Sequence, residues 1–181
     1  MLRLNEYLDA EVYRSEHGIK KMIAKHITPS TNAVYLLRKA QVYHKSNSRI
    51  KRILSRVYQI KMERRYALYI NLDIEIGLGL RLPHPNGIII GGGCEIGSNV
   101  TIFQQVTIGS RVPGGYINGE QPKIKDDVML FAGSKVLGDI VVASKTWVGA
   151  NSVIIENTEE GFSYTGLPAK KSRKKHIEFS Y

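Results

Sequence analysis

The chain has 181 residues, with 26 Lys+Arg against 16 Asp+Glu, five histidines and a single cysteine. Such a length suits one domain with a smaller appendage, a lone cysteine excludes an internal disulfide, and no run of 18 or more apolar residues offers a membrane span. No charged-then-apolar leader opens the sequence, so the expected location is the cytoplasm. No nucleic-acid motif accompanies the net charge of +10, and nucleic acid is not an expected partner.

The charge is divided unevenly. Residues 1–70 carry 15 Lys+Arg and 5 Asp+Glu, whereas 71–181 carry 11 of each. Within 1–69, a basic α-helical N-terminal region is expected. Apolar residues recur at helical spacing over 4–26 (Leu4, Leu8, Val12) and 32–66 (Val34, Leu37, Val42, Ile50, Leu54, Val57, Ile60), on either side of the breaker Thr28-Pro29-Ser30-Thr31-Asn32. Ser30 or Thr31 is the expected N-cap of the second helix. Arg49, Lys51, Arg52, Arg56, Lys61, Arg64 and Arg65 alternate there with Tyr58, Tyr66 and Tyr69. Such a segment reads either as a solvated face or as a surface for peripheral contact with an anionic membrane or polyanion.

From residue 70 a six-residue beat takes over: Ile90, Ile96, Ile102 and Ile108, then Ile124, Leu130, Val136, Val142, Val148 and Ile154. Each hexad supplies one short strand and one corner, and three hexads make a triangular coil, the repeat signature of a parallel β-helix. The expected architecture is mainly β, a parallel β-helix over 70–169 with a loop at 111–121 and a basic tail at 170–181. Cys94 falls at a small-residue position of the repeat and reads as core. No Cys/His cluster exists, so no metal site is expected, and Gly91-Gly92-Gly93 leads into another hexad rather than a helix, so it is no dinucleotide fingerprint.

The beat slips by two residues between Leu82 and Ile90, at a corner holding His84. Neutral imidazole can take a proton from an alcohol near pH 7. His84 is therefore the leading candidate for a general base, against the blander reading of a structural histidine. A second interruption, between Ile108 and Ile124, carries Arg111, Tyr116, Asn118, Glu120 and Gln121, and insertions at solenoid corners commonly form binding surfaces.

Taken together, His84-Pro-Asn-Gly87-Ile-Ile-Ile-Gly91, Gln104-Gln-Val-Thr-Ile-Gly109, Pro122-Lys-Ile124 and Gly166-Leu-Pro168-Ala169 resemble the hexapeptide-repeat acyltransferases of the serine acetyltransferase type. The resemblance implies a left-handed β-helix, a homotrimer, acetyl-CoA as co-substrate in a groove between adjacent solenoids, and His84 as the base that activates an acceptor hydroxyl for direct attack on the thioester. It assigns Gly109, Ser110, Arg111, Ala132, Gly133, Trp147, Ala150 and Lys170 to coenzyme A, and Asn86, Gln104, Tyr116 and Gln121 to the acceptor.

The departures from that pattern are specific. The family's acid partner of the histidine falls at Tyr69, leaving Asp73 or Glu75 as substitutes, with Asp73 the preferred catalytic partner. The acid before the histidine is replaced by Pro83, and an Arg-His pair before Pro-Lys-Ile by Glu120-Gln121. Without an arginine a serine carboxylate loses its bidentate partner. The expected acceptor is therefore a carbohydrate hydroxyl of a bacterial capsular or surface polysaccharide or its precursor, for which the His-Pro-x-Gly variant resembles known members. Serine or an amino sugar is the alternative within the enzyme class, and a noncatalytic scaffold binding polyanion or membrane is the alternative outside it.

Overall fold

The computed structural model describes residues 4–13, 23, 28–112, 114–115, 117 and 119–172. Three helical pieces come first. Helix α1 (Leu4–Leu8) runs into a π-helical turn (Asp9–Tyr13), α2 spans Pro29–His44 and α3 spans Arg49–Tyr66. The N-cap of α2 is Thr28, whose hydroxyl accepts from the Thr31 amide with Pro29 at the first helical position. That displaces the cap from Ser30 or Thr31, because proline has no amide to satisfy and is preset for the first turn. The single helix expected over 32–66 is in fact two. Lys45 through Ser48 turn the chain, and the Ser48 side chain accepts from the Lys51 amide to start α3. Helices α2 and α3 lie antiparallel, since Ser55 donates to the Ala40 carbonyl (2.7 Å) and the Tyr66 hydroxyl to Asn32 Oδ1 (2.9 Å).

Among the described residues fourteen short strands follow, β1 (Tyr69–Ile70) to β14 (Ala169–Ser172). They form three sheets along the faces of a triangular prism: sheet A (β1, β3, β6, β9, β12), sheet B (β2, β4, β7, β10) and sheet C (β5, β8, β11, β13, β14). All pairings are parallel except β13 with β14. The register identifies the coils. Ile70 pairs with Ile90, Ile90 with Ile108, Ile108 with Val136 and Val136 with Ile154. An unbroken coil therefore takes 18 residues, the first takes two more at His84, and the third takes ten more at the loop before β7 (Lys123–Ile124). The beat aliphatics are the core: Ile90, Ile96, Ile102, Ile108, Ile124, Leu130, Val136, Val142, Val148 and Ile154 are all buried.

Most corners carry one residue at positive φ. Asn99, Gln105, Asp127, Lys145 and Asn151 supply it at φ of 55–60°, and Gly133 does so at 71°. Asn, Asp and Gly tolerate this region best. The helices close the open lower end of the prism. Arg38, almost wholly buried, donates to the carbonyls of Ile76 (3.0 Å) and Gly77 (2.5 Å) in the first coil, and to Glu11 (2.7 and 2.5 Å). Gln41 Nε2 donates to the Ile74 carbonyl. The tail expected from residue 170 begins as structure: Lys170, Lys171 and Ser172 belong to β14, hairpinned on β13 (Ser163–Gly166). Residues 173–181 lie outside the described residues.

Candidate functional site

The corner between sheets C and A is built from successive turns stacked by backbone hydrogen bonds. Gln105 donates its amide to the Asn86 carbonyl (2.8 Å), Gly133 to Gln104 (2.9 Å), and Asn151 to Ala132 (2.9 Å). This one edge of the prism therefore brings together His84, Asn86, Gln104, Ala132, Gly133 and Ala150. Trp147 joins them from β11 (Trp147–Val148) in the adjoining sheet.

The imidazole of His84 is exposed at the lower end of this edge, in the two-residue insertion. Above it runs a row of aromatic rings. His84 lies 6.2 Å from Phe103, Phe103 stacks on Phe131 at 5.4 Å and 9°, and Phe131 meets Trp147 edge-on at 6.3 Å. Ring pairs at these separations and angles are favourable arrangements. The phenylalanines were not among the residues expected from sequence, although their spacing of 28 matches the length of the coil that separates them. With strands about 4.8 Å apart, the wall from His84 in the first coil to Trp147 in the fourth is about 15 Å long. Gln104 Oε1 is buried on this edge with no hydrogen-bond partner among the described residues.

Asp73 does not join His84. Its carboxylate pairs with His44 at 3.0 Å, at the corner between sheets A and B. A carboxylate three residues beyond β1 is carried round the next corner, whereas His84 ends the coil. Glu75 lies further along, on the outward side of β2 (Glu75–Ile76). Among the described residues the His84 ring has no hydrogen-bond partner. Gln121 is corrected too: it is 3% exposed and accepts from the Cys94 thiol at 3.4 Å, so it packs the solenoid and does not face an acceptor in this chain. Burial pushes the Cys94 thiol up to about 12, which suits a core residue and not a nucleophile.

Gly109, Ser110 and Arg111 sit on the other edge, between sheets A and B, where the ten-residue loop leaves the prism. Ser110 Oγ donates to the Val112 carbonyl, and a Cβ added at Gly109 would meet nothing within 4 Å. Tyr116 lies outside the described residues. Lys170 is exposed on β14, in sheet C. The residues expected to hold coenzyme A are thus divided between two edges with sheet A between them. One edge offers open backbone at Gly109, the other the aromatic wall and the small residues Ala132 and Gly133.

A groove of about 760 Å³ that reaches Pro83 was not anticipated. It is lined by Asp9 from the N-terminal turn, Arg81, Asn99 and Thr101 from the first two coils, and Pro83, the residue before His84. Arg81 is bridged to Thr101 through its backbone, and among the described residues its guanidinium has no ion-pair or hydrogen-bond partner. The groove exists because Glu11 and Arg38 hold the N-terminal turn against the first coil. Glu11 also accepts from the Leu80 amide at 3.1 Å.

No family model matches the chain. The serine acetyltransferase of Bacillus subtilis is 39% identical over 95 residues, which is 52% of this chain and 43% of that protein. The crystal structure of Neisseria gonorrhoeae serine acetyltransferase superposes with a TM-score of 0.78 at 23% identity, over 97% of this chain and 68% of that one. The chain has the left-handed β-helix fold of these enzymes. A serine acetyltransferase in complex with CoA superposes with a TM-score of 0.71 at 24% identity, over 92% of this chain and 67% of that one. The chain spans about half the length of the curated relatives it matches. Among the described residues no group of His, Cys, Asp and Glu suits a metal ion, and no helix is long and apolar enough to cross a membrane.

Proposed function

We propose that the chain is an acetyl-CoA-dependent O-acetyltransferase whose acceptor is a small hydroxyl compound bearing a carboxylate, with serine as the first candidate. The observation that carries this is that His84 stands at the foot of an aromatic wall and directly follows Pro83, which lines a groove holding an unpaired guanidinium. The likeness to serine acetyltransferases supports the same reading. In it, an imidazole nitrogen of His84 takes the acceptor hydroxyl proton as that oxygen bonds to the acetyl carbonyl carbon. The C–S bond then breaks and the imidazolium returns the proton to the departing sulfur, so no acyl-enzyme forms. The wall beds the thioester arm. Arg81 takes the acceptor carboxylate with two parallel N–H donors, which answers the absence of an arginine before Pro122-Lys123-Ile124. The two edges that share the coenzyme contacts meet between neighbouring protomers of a trimer, where Gly109 and Arg111 of one face Ala132 and Trp147 of the next.

A carbohydrate hydroxyl is the second reading. It is favoured by Pro83, an uncharged residue beside His84 where an ammonium group would meet a carboxylate, and by the exposed amide of Asn86.

The test is thiol release from acetyl-CoA by the purified protein with L-serine, serinamide, amino-sugar nucleotides and de-O-acetylated polysaccharides. His84→Ala is expected to lower kcat by about 10²–10⁴-fold. Arg81→Gln is expected to raise KM for serine by roughly 10- to 100-fold, the worth of a hydrogen bond to a charged group, while KM for acetyl-CoA holds. Turnover of a polysaccharide but not of serine would install the second reading. Silence on every acceptor would leave a scaffold, and turnover indifferent to His84 would remove His84 as the base.

A further inference from the structure

Helix α3 is turned the wrong way for a soluble surface helix. Its buried side carries Ser55, Met62 and Tyr66. At 100° per residue the opposite side carries Ile50, Ile53, Leu54 and Val57, which are 72%, 66%, 40% and 41% exposed. These four occur at i, i+3, i+4 and i+7, the spacing of an apolar stripe that ordinarily faces a core. Here it faces outward.

The borders of the stripe are basic. Arg49 and Arg56 flank one side and Arg65 the other, while Lys61 and Arg64 follow in line with the stripe further along the helix, all exposed. The whole helix holds seven Lys and Arg against Glu63 alone, and among the described residues none of the seven is in an ion pair. A groove of about 890 Å³ runs from Val57 towards α2, with Tyr35, Leu36, Tyr58 and Ile60 as its apolar lining and Asn32, Lys61, Arg64 and Arg65 as its polar lining.

We infer that this face of α3 docks on an anionic lipid surface. Charge complementarity selects the occupant. Pairing two copies through the stripe would set arginines and lysines of one chain against those of the other, with a single glutamate each to offset them. A membrane bearing anionic headgroups instead offers negative charge to both borders and hydrocarbon to the stripe, the arrangement of helices that lie in the interface plane. Repetition of the helix in an oligomer would add a second and third contact at high effective concentration. The inference does not depend on the acetyl-transfer reading.

The test is co-sedimentation of the whole chain with vesicles of phosphatidylglycerol and phosphatidylcholine in equal parts, and with pure phosphatidylcholine. The expected result is binding to the anionic vesicles alone, reduced by salt near 1 M, where the Debye length is about 3 Å. The double variant Ile53→Ser, Val57→Ser changes only exposed side chains. It is expected to lose roughly tenfold or more in partitioning, because buried apolar area contributes to interfacial binding. Arg49→Glu with Arg56→Glu is expected to lose binding at low salt, with unchanged circular dichroism. The inference is overturned by wild-type protein that ignores anionic vesicles at low salt, or by a serine variant that binds as well as wild type. It is equally overturned if the serine variant shifts the oligomer's mass in light scattering, for the stripe is then a protein–protein contact.

Discussion

Removal of the Glu11 carboxylate isolates the strongest single tie between the N-terminal helices and the solenoid. Arg38 makes five hydrogen bonds: two to Glu11, one to Gln41 Oε1, and one each to the carbonyls of Ile76 and Gly77. The Tyr7 ring lies 4.2 Å from the guanidinium carbon, and the two charged side chains are 2% and 0% exposed. Glu11→Ala leaves a buried cation without its counter-charge and the Leu80 amide without its acceptor, a loss of about 3–5 kcal/mol. With a urea slope of about 2 kcal/mol/M the midpoint falls by about 2 M. Arg38→Met leaves the Glu11 charge equally uncompensated. The double variant Arg38→Met, Glu11→Ala removes both charges but still strands the two carbonyls and the amide, at about 1–3 kcal/mol for each buried group. It should therefore sit below wild type yet well above the sum of the singles, with a coupling of about 2 kcal/mol or more. Urea unfolding followed by circular dichroism, at one protein concentration because assembly adds to stability, measures all four corners of the cycle. Additive losses, or a Glu11→Ala loss under about 1 kcal/mol, would refute the claim that the pair works as a buried unit. Because the same contact holds Asp9 beside Arg81, Glu11→Ala should also raise KM for the acceptor more than KM for acetyl-CoA.

Cys94 is expected to resist alkylation in the native protein near pH 8 and to react on unfolding. Its folded pKa of about 12 lies above the value near 8.5 of an unfolded cysteine. The unfolded chain thus loses the proton first as pH rises, and stability falls from about pH 8.5 towards 12, by up to about 1.4 kcal/mol per pH unit. The difference between wild type and Cys94→Ala reads this slope, and equal slopes would contradict it. Gly133→Ala places a Cβ against Asn151 Oδ1 at a φ of 71°, so unfolding should shift by about 1–3 kcal/mol; a neutral substitution would mean that the corner relaxes. Phe131→Ala removes the centre of the aromatic row, and KM for acetyl-CoA should rise by up to about tenfold, from the worth of an aromatic pair, with KM for serine unchanged. A rise in the serine KM alone would move the thioester arm off this wall.

The solenoid was legible because its determinant is local and periodic. Any hexad that buries one aliphatic and turns one corner forces the next to do the same, so the positions of Ile90 to Ile154 and the two interruptions follow from counting. The helical region was less legible, because a helix pattern continues across Lys45-Ser46-Asn47-Ser48 as readily as it breaks there. What ends α2 is a tertiary demand: Ser55 must return to Ala40, and Tyr66 to Asn32. The site divides in the same way. His84 announces itself through a slip in the beat, a one-dimensional signal. The partner of Asp73 lies 29 residues away on another element, and Arg81 lines the same groove as Asp9 only because the N-terminal turn folds under the first coil. Arg81 carries no mark in the sequence at all, since it occupies an ordinary outward position of the repeat. Its chemical consequence is large all the same. The loop before Pro122 offers no arginine to a serine carboxylate, and on the proposed reading the Arg81 guanidinium supplies that partner from the segment before His84. On the proposed reading, specificity is set by which corner supplies the cation. If Arg81→Gln left serine turnover untouched while Arg111→Gln abolished it, the cation would come from the loop of a neighbouring protomer instead.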